Sequence, residues 1–190
     1  MSRPGAGTGH QERAAPTLTA ICGPMFSGKS SELIRRLRSA AEAGVAVRAI
    51  KPGLDTRYAD GEIVTHAGER LTAVSVATAL EIELAAGDAE LIGIDEAHFF
   101  GAGLTAVCVR LIGQGRFAVV AGLERDHRGE AFEPFPHLLC EADEVIKLTC
   151  PCSVCGGPSV HSQRMVASEA RIVVGGAEAY EPRCRRCFGK

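Results

Sequence analysis

The chain has 190 residues, a formal net charge of −2 and eight cysteines. This length allows one main domain with a buried core and a small appendage. The nearly neutral charge argues against a dominant nucleic-acid or membrane-binding surface, and no apolar run is long enough to span a bilayer.

Residues 1–16 are rich in Gly, Pro and polar side chains and lack the apolar stretch of a signal peptide. We expect a disordered tail on a cytoplasmic protein. Downstream, apolar runs alternate with helical patterns, which predicts a parallel sheet with right-handed crossovers. Strands are predicted over 18–22, 45–50, 91–94, 117–121 and 145–148, helices over 31–41, 77–86 and 104–113, and loops over 51–68 and 122–136.

The first predicted strand leads into the run GPMFSGKS, which has the phosphate-loop spacing G-x-x-x-x-G-K-[ST]. Its glycines allow backbone N–H groups to turn around an anion, Lys29 can contact the β- and γ-phosphates, and Ser30 can ligate Mg²⁺. The alternative is a Gly-rich turn with a solvated lysine, but the strand-loop-helix context favours a nucleoside triphosphate. The predicted phosphate-binding residues are Gly23, Pro24, Met25, Phe26, Ser27, Gly28, Lys29 and Ser30.

Asp95 and Glu96 follow the buried run at 91–94. Ligands of open α/β sheets bind at the carboxyl ends of strands, so these acids are expected beside the phosphate loop. Asp95 is the candidate to hold Mg²⁺, and Glu96 is the candidate general base. The alternative is that two acids simply end a strand in solvent, which is less consistent with the phosphate loop upstream.

From Cys150 onward the chain carries paired cysteines and little helical pattern, so we predict a domain over 17–149 and a second over 150–190. Two C-x-x-C pairs can supply four thiolates to a structural Zn²⁺, although the gap between them exceeds that of a common zinc ribbon. The predicted ligands are Cys152, Cys155, Cys184 and Cys187. Cys150 is a rival ligand, reduced metal-free thiols are the alternative, and Cys22, Cys108 and Cys140 are expected in the core.

The motifs in this order resemble the cellular-type, zinc-containing (type II) thymidine kinases. They include IKPGLDTRY (50–58), a Thr65-His66 pair, IGIDEAHFF (92–100), GLERDHRGEAF (122–132), IVVGGAEAY (172–180) and CRRC (184–187). The resemblance implies an α/β fold with a P-loop parallel sheet flanked by helices, and a small C-terminal zinc-binding domain that carries a lasso loop. It also implies transfer of the γ-phosphate of ATP to the 5′-hydroxyl of thymidine, in a homotetramer. Deoxyuridine lacks only a methyl group, so we expect it to be a substrate as well.

The resemblance also implies roles for individual residues. Glu96 would be the catalytic base, Asp55 would hold the sugar 3′-hydroxyl, and Arg57 would face the phosphates. The ATP and Mg²⁺ site would further include Thr56, Asp95, Ala97 and His98. The nucleoside would contact Met25, Asp55, Phe99, His127, Phe132, Arg171, Ile172, Val173, Val174, Gly175 and Tyr180.

Two residues depart from the family pattern, which usually has Gln at His98 and Phe at His127. Replacement of the phenyl ring by imidazole at His127 is either tolerated or makes the KM for the nucleoside depend on pH, and we favour tolerance. Two other functions remain: a zinc-ribbon ATPase acting on nucleic acid, supported by the basic residues Arg183, Arg185 and Arg186, and a zinc-stabilised nucleotide sensor without chemistry. No nucleic-acid or membrane partner is expected for the kinase.

Overall fold

The computed structural model describes residues 15–54, 61–65 and 68–190, and ten strands and four α-helices lie within these ranges. In chain order the elements are β1 (Leu18–Cys22), α1 (Lys29–Glu42), β2 (Val47–Pro52), β3 (Glu62–Val64), β4 (Arg70–Thr72), β5 (Val74–Val76), a 3-10 helix (Ala79–Glu81), α2 (Ile82–Ala86), β6 (Leu91–Ile94), a 3-10 helix (Ala97–Phe100), α3 (Gly103–Gly113), β7 (Phe117–Gly122), α4 (Phe135–Glu141), β8 (Glu144–Lys147), β9 (His161–Arg164) and β10 (Tyr180–Arg183).

The central sheet has six strands in the order β5-β2-β6-β7-β1-β8, and its pairings are parallel. Strands β1, β6 and β7 consist almost entirely of buried apolar residues because helices or hairpins cover both faces of the sheet. The predicted parallel α/β sheet is therefore confirmed. Its carboxyl edge gathers the ends of β1, β2, β6 and β7 on one side of the molecule.

Two hydrophobic clusters cover the two faces of the sheet. Helices α2, α3 and α4 pack on one face, while α1 and the β3–β4 hairpin pack on the other. On the α1 face, a Cβ placed on Gly93 would lie 2.4 Å from the Leu37 side chain. The missing side chain at Gly93 thus lets α1 lie against the strand that ends in the Asp-Glu pair, and this brings the start of α1 close to those acids.

Several boundaries differ from the sequence-based expectations. The predicted loop at 51–68 was wrong in part, because β2 runs through Pro52 and β3 occupies Glu62–Val64. The loop predicted at 122–136 was also too long, since α4 begins at Phe135. Cys22 and Cys108 are buried as expected, but Cys140 is exposed near the end of α4, which corrects its assignment to the core.

The C-terminal part of the chain contains the antiparallel hairpin β9–β10. Residues 165–179, which connect these two strands and which we call the lasso, form neither helix nor strand. No helix within the described part of the chain is long and apolar enough to cross a membrane.

Candidate functional site: a phosphate loop, two acids and a lasso around one cavity

The phosphate loop leaves β1 with a backbone that only certain residues accept. Gly28, immediately before α1, has a φ of 85°, in the left-handed region that glycine adopts without a Cβ penalty. Gly23 lies so close to the strand β8 end that a Cβ there would be 2.4 Å from the Leu148 carbonyl oxygen. Both glycines of the sequence pattern therefore meet a backbone requirement. Helix α1 begins at Lys29, the lysine of the phosphate-loop pattern.

Lys29 is buried at the bottom of this loop, where it is 8% exposed. Its ammonium donates to the Pro24 carbonyl oxygen at 2.7 Å. Burial lowers the pKa of Lys29 from its usual value, while the nearby carboxylates of Glu96 and Asp95 act in the opposite direction. A cation held this way, inside the loop and facing two acids, is suited to contact a phosphate anion.

Asp95 lies at the end of β6, 6% exposed, and its Oδ1 accepts a hydrogen bond from the Ser30 hydroxyl at 3.1 Å. Burial is the main cause that raises the pKa of Asp95 to about 7, and the charge of Glu96 adds to it. A hydroxyl and a carboxylate side by side are the oxygen donors that Mg²⁺ uses. The residues present therefore fit the predicted magnesium site.

Glu96 follows Asp95 directly, and its backbone is in the left-handed region, with a φ of 47°. A non-glycine residue adopts this conformation at a cost, and such residues are common at active sites. The Glu96 carboxylate lies 3.6 Å from the Nδ1 of His98, and its side chain is 15% exposed. Glu96 thus reaches the space in front of the sheet, as the strand-end position predicted.

One cavity of about 290 Å³ joins these groups to the lasso. Its size is close to the lower end of small-molecule pockets, roughly 300 Å³. From the phosphate loop and the start of α1 it is lined by Met25, Phe26, Gly28, Lys29 and Ser30. The residues that line it at the carboxyl edge of the sheet are Asp95, Glu96, His98 and Phe99. The remaining predicted residues that line it come from the loop after β7, from the lasso and from β10: His127, Phe132, Arg171, Ile172, Val173, Val174, Gly175 and Tyr180.

The other residues predicted for the site lie elsewhere. Gly23, Pro24 and Ser27 belong to the phosphate loop behind the cavity lining, where the Ser27 hydroxyl donates to the Pro24 carbonyl at 2.8 Å. Ala97 is fully buried in the main core. Asp55, Thr56 and Arg57 fall outside the described residues, so their roles stay predictions.

Aromatic rings line one wall of the cavity. The ring of His98 lies 4.3 Å from that of Phe99 and 5.2 Å from that of Phe132, between centroids. His98 therefore lies beside two residues predicted for the nucleoside, and its role in the ATP site stays a prediction. Burial, followed by the positive charge of Arg164, lowers the pKa of His127.

The lasso is held against the main domain at Arg171. Its Nε donates to Asp126 Oδ2 at 2.8 Å, and its Nη2 donates to the Ala131 carbonyl at 3.0 Å. Asp126 is 2% exposed, and its other oxygen accepts from the backbone N–H groups of Arg128 and Glu130. One buried carboxylate thus shapes the loop after β7 and fastens the lasso to it.

The four predicted zinc ligands come together. The sulfur atoms of Cys152, Cys155, Cys184 and Cys187 all lie within 4.8 Å of one another. A tetrahedral zinc site with Zn–S bonds of ~2.3 Å needs sulfur atoms ~3.8 Å apart, so this cluster fits such an ion. Cys150, the rival ligand, instead places its sulfur 3.6 Å from the Met25 carbonyl oxygen and 3.1 Å from the Ser159 hydroxyl.

The cysteine-rich part also contacts the phosphate loop directly. The Met25 N–H donates to the hydroxyl of Ser162 in β9 at 2.9 Å, and both residues are buried. Met25 and Tyr180 share a small hydrophobic cluster with Ala179, against which Val173 packs. The phosphate loop is therefore hydrogen-bonded to β9 of the cysteine-rich part through the backbone N–H of Met25.

Sequence reasoning missed several residues in or beside this site, and four of them hold its parts in place: Lys51, Asp126, Ser162 and Arg164. Lys51 lines the cavity at 2% exposure and donates to the Glu62 carbonyl at 3.1 Å. Its position at the end of a predicted strand could have identified it, as it did Asp95. The partners of Asp126 and Ser162, which are Arg171 and Met25, are distant in sequence, and Arg164 binds backbone carbonyls close to it. No local sequence pattern marks any of these partners.

The fold and this site define a P-loop nucleotide-binding protein with an appended four-cysteine module. The family model for thymidine kinase matches residues 16–188. The chain is 46% identical to a thymidine kinase of Rhodothermus sp. (strain ITI 518) over 171 residues, covering 90% of this chain and 80% of the relative. It is 42% identical to one of Chloroflexus aurantiacus over 180 residues (90% and 93%), and 38% identical to one of Bacteroides fragilis over 178 residues (94% and 89%).

The chain therefore belongs to the thymidine kinase family. The family resemblance carried by the sequence motifs is confirmed, and with it a transferase of the kinase class that binds nucleotides.

Proposed function

We propose that the protein is a thymidine kinase that transfers the γ-phosphate of ATP to the 5′-hydroxyl of thymidine, and of deoxyuridine, to give the 5′-monophosphate in nucleotide salvage. The observation that carries this proposal is the shared cavity, which is lined by Lys29, Glu96 and the lasso residues 171–175. A phosphate-binding cation, a carboxylate and a segment of non-helical backbone around one space suit a reaction between a triphosphate and a small nucleoside.

In the proposed mechanism, the phosphate loop holds the triphosphate of ATP and Glu96 accepts the proton of the 5′-hydroxyl. The oxygen then attacks the γ-phosphorus, the bond to the β-phosphate oxygen breaks, and ADP leaves. Lys29 offsets negative charge on the migrating group, since catalysis in this class is mostly positioning and charge stabilisation. Ser30 and Asp95 would hold Mg²⁺, which supplies neutralisation of the phosphate charge when bound.

Recognition of thymine would fall to the lasso. Thymine offers one N–H and two carbonyl groups, and the backbone of residues 171–175 can pair with them rigidly. Cytosine has an amino group in place of a carbonyl, so donors would face donors at a cost of about 1–3 kcal/mol for each unsatisfied group. Deoxyuridine lacks only a methyl group and should remain a substrate.

Zinc in the four-cysteine cluster would have a structural role. Four thiolates leave no open coordination position, so the ion would join the segments that carry β9 and β10, at the two ends of the lasso, without entering the chemistry. We further propose, on the family resemblance, that the protein works in the cytoplasm as a homotetramer, and that residues 1–16, 17–149 and 150–190 are its tail, kinase and zinc units.

A phosphotransfer assay with γ-labelled ATP and a panel of deoxynucleosides tests this proposal. We expect labelled monophosphate from thymidine and deoxyuridine, little from deoxycytidine, and none from the Lys29→Met variant. ATP binding without transfer to any nucleoside would favour a nucleotide sensor instead. ATP hydrolysis stimulated by DNA would favour the nucleic-acid ATPase.

A further inference from the structure

The lasso has few hydrophobic contacts to fix its shape. Its apolar side chains at Met165, Val166, Ile172 and Val174 are 39–55% exposed. Val173 and Ala179 are the lasso members of the hydrophobic cluster beside Met25. A segment with so little buried apolar surface must obtain its conformation from hydrogen bonds, because burial does not offset the entropy of ordering it.

Three of those hydrogen bonds come from one side chain, Arg164, at the end of β9. Its Nη1 donates to the carbonyls of Ser168 at 3.3 Å and Ala170 at 2.5 Å, and its Nη2 donates to the carbonyl of Arg171 at 2.8 Å. Nη2 and Nε also lie 3.1 and 3.3 Å from the hydroxyl of Tyr180. All three guanidinium nitrogens therefore form hydrogen bonds, either with lasso carbonyls or with Tyr180, which follows the lasso.

The Tyr180 hydroxyl extends this network. It accepts from Arg164 and donates to the Val173 carbonyl at 2.9 Å. Tyr180 is also the cross-strand partner of Arg164 in the β9–β10 hairpin, so both ends of the lasso start from the same pair. Arg164 and Tyr180 therefore fix the carbonyls of residues 168, 170, 171 and 173, and the last two belong to the stretch that lines the cavity.

We infer that Arg164 is a positioning residue that sets the main-chain shape of the lasso, and through that shape the affinity for the nucleoside. Arg164 is outside the cavity lining and acts through the backbone of residues 168–173. A planar guanidinium presents five donors in a fixed fork on three nitrogen atoms, whereas lysine presents three donors on one atom and cannot reproduce this arrangement. The identity of the nucleoside rests on the proposed function, but the shape of the lasso does not.

The decisive variant is Arg164→Lys, which keeps the charge and removes the fork. Loss of two or three hydrogen bonds should raise the KM for thymidine about tenfold or more. The KM for ATP and the kcat at saturating thymidine should stay within about twofold of wild type, because the phosphate loop and Glu96 are unchanged. Arg185→Lys is the matched control, since Arg185 is exposed in the same part of the chain.

A second measurement needs no substrate. Amide hydrogen exchange over residues 168–176 should be faster in Arg164→Lys than in wild type, while exchange in β1 and β7 stays the same. Arg164→Gln is measured in parallel, together with metal content and thermal stability. If both variants lose the metal or unfold, Arg164 supports the whole module and the inference is overturned.

Failure of this inference can be told apart from failure of the proposed function. Wild-type turnover of thymidine with an unchanged KM and unchanged lasso exchange in Arg164→Lys would overturn only the role of Arg164. Conversely, a wild-type protein that phosphorylates no nucleoside would end the proposed function, and the exchange rates would still decide whether Arg164 orders the lasso.

Discussion

Asp95 and Glu96 are adjacent in the chain but have different surroundings. Asp95 is buried on the α1 face of the sheet beside Ser30, and burial raises its pKa to about 7. Glu96 is rotated into the left-handed region and approaches His98. Different environments give two neighbouring carboxylates different chemical tasks, which supports metal binding by one and proton transfer by the other.

The role of Glu96 is tested by Glu96→Gln. A positioned general base contributes about 10²–10⁴-fold to a rate, so kcat for thymidine should fall by that factor. Thymidine binding, measured by calorimetry, should change little because the amide is isosteric. Glu141→Gln, an exposed change at the end of α4, is the control, and a kcat near wild type in Glu96→Gln would refute the assignment.

Asp95 makes stability depend on pH in a defined direction. The unfolded carboxyl loses its proton near 3.8, while the folded one retains it up to about pH 7. Between these values the folded state binds more protons, so the contribution of Asp95 to stability falls as pH rises through the window. Without Mg²⁺, Asp95→Asn should be more stable than wild type at pH 8, by about 4 kcal/mol at most, and close to it at pH 4.

Urea unfolding of both proteins at the two pH values measures this difference. Ser30 can still donate to the asparagine carbonyl, so the hydrogen bond survives the change. Equal stabilities at pH 8 would mean that burial of the Asp95 carboxylate carries no penalty in the folded protein.

His127 should not make the KM for thymidine sensitive to pH near neutrality. Burial and the charge of Arg164 lower its pKa, so the imidazole stays neutral at and above its ordinary titration range, about pH 6.5. We expect a flat KM between pH 6.5 and 8 and the same profile in His127→Phe. A change in KM centred near pH 6.5 that disappears in His127→Phe would show that the imidazole does titrate in the working range.

Among the elements, the loop between β7 and α4 carries the attachment of the lasso. Asp126 accepts from two backbone N–H groups of this loop and from Arg171. On its other side, a Cβ at Gly129 would lie 3.1 Å from the Phe188 ring, whose stacking partner is His161 at 4.1 Å. The loop is thus packed between the lasso and the cysteine-rich part.

Replacement of Asp126 tests this attachment. Asp126→Asn removes one acceptor and the charge that pairs with Arg171, so it should lower stability by about 1–3 kcal/mol. It should also raise the KM for thymidine, while the KM for ATP stays close to wild type. The control is Asp88→Asn, an exposed change after α2, and unaltered thymidine kinetics in Asp126→Asn would contradict the attachment.

Across the whole molecule, the cysteine-rich part supports both ends of the cavity. It carries the lasso, and Ser162 holds the Met25 N–H of the phosphate loop. Loss of the metal should therefore weaken thymidine binding through the lasso and also disturb ATP binding through Met25. This coupling was not anticipated from the sequence, which indicated only a structural zinc site.

Metal removal tests that coupling. Chelation, or Cys155→Ser, should lower the melting temperature and raise the KM for thymidine, with a smaller rise in the Kd for ATP, and zinc should restore the chelated wild type. Cys140→Ser, an exposed cysteine outside the cluster, is the control. An unchanged KM for thymidine after complete loss of metal would exclude the proposed structural role.

The sequence by itself determined the parallel sheet, the phosphate loop, the strand-end acids and the four clustered cysteines. Each of these depends on a short local pattern whose physical cause lies within a few residues, such as the glycines of the loop or the apolar run of β6. The β3–β4 hairpin and α4 were missed, because short elements with little periodicity give a weak signal.

Only the tertiary structure decided how the lasso is held and how the cysteine-rich part meets the phosphate loop. Asp126 binds the side chain of Arg171, and Ser162 binds the backbone N–H of Met25; both pairs are far apart in sequence. Arg164 is close in sequence to the lasso carbonyls that it binds, but these are backbone groups. Nearly every residue offers the same backbone N–H and C=O, so the residue type does not reveal which backbone group will be the partner. Their positions follow from the folded chain alone.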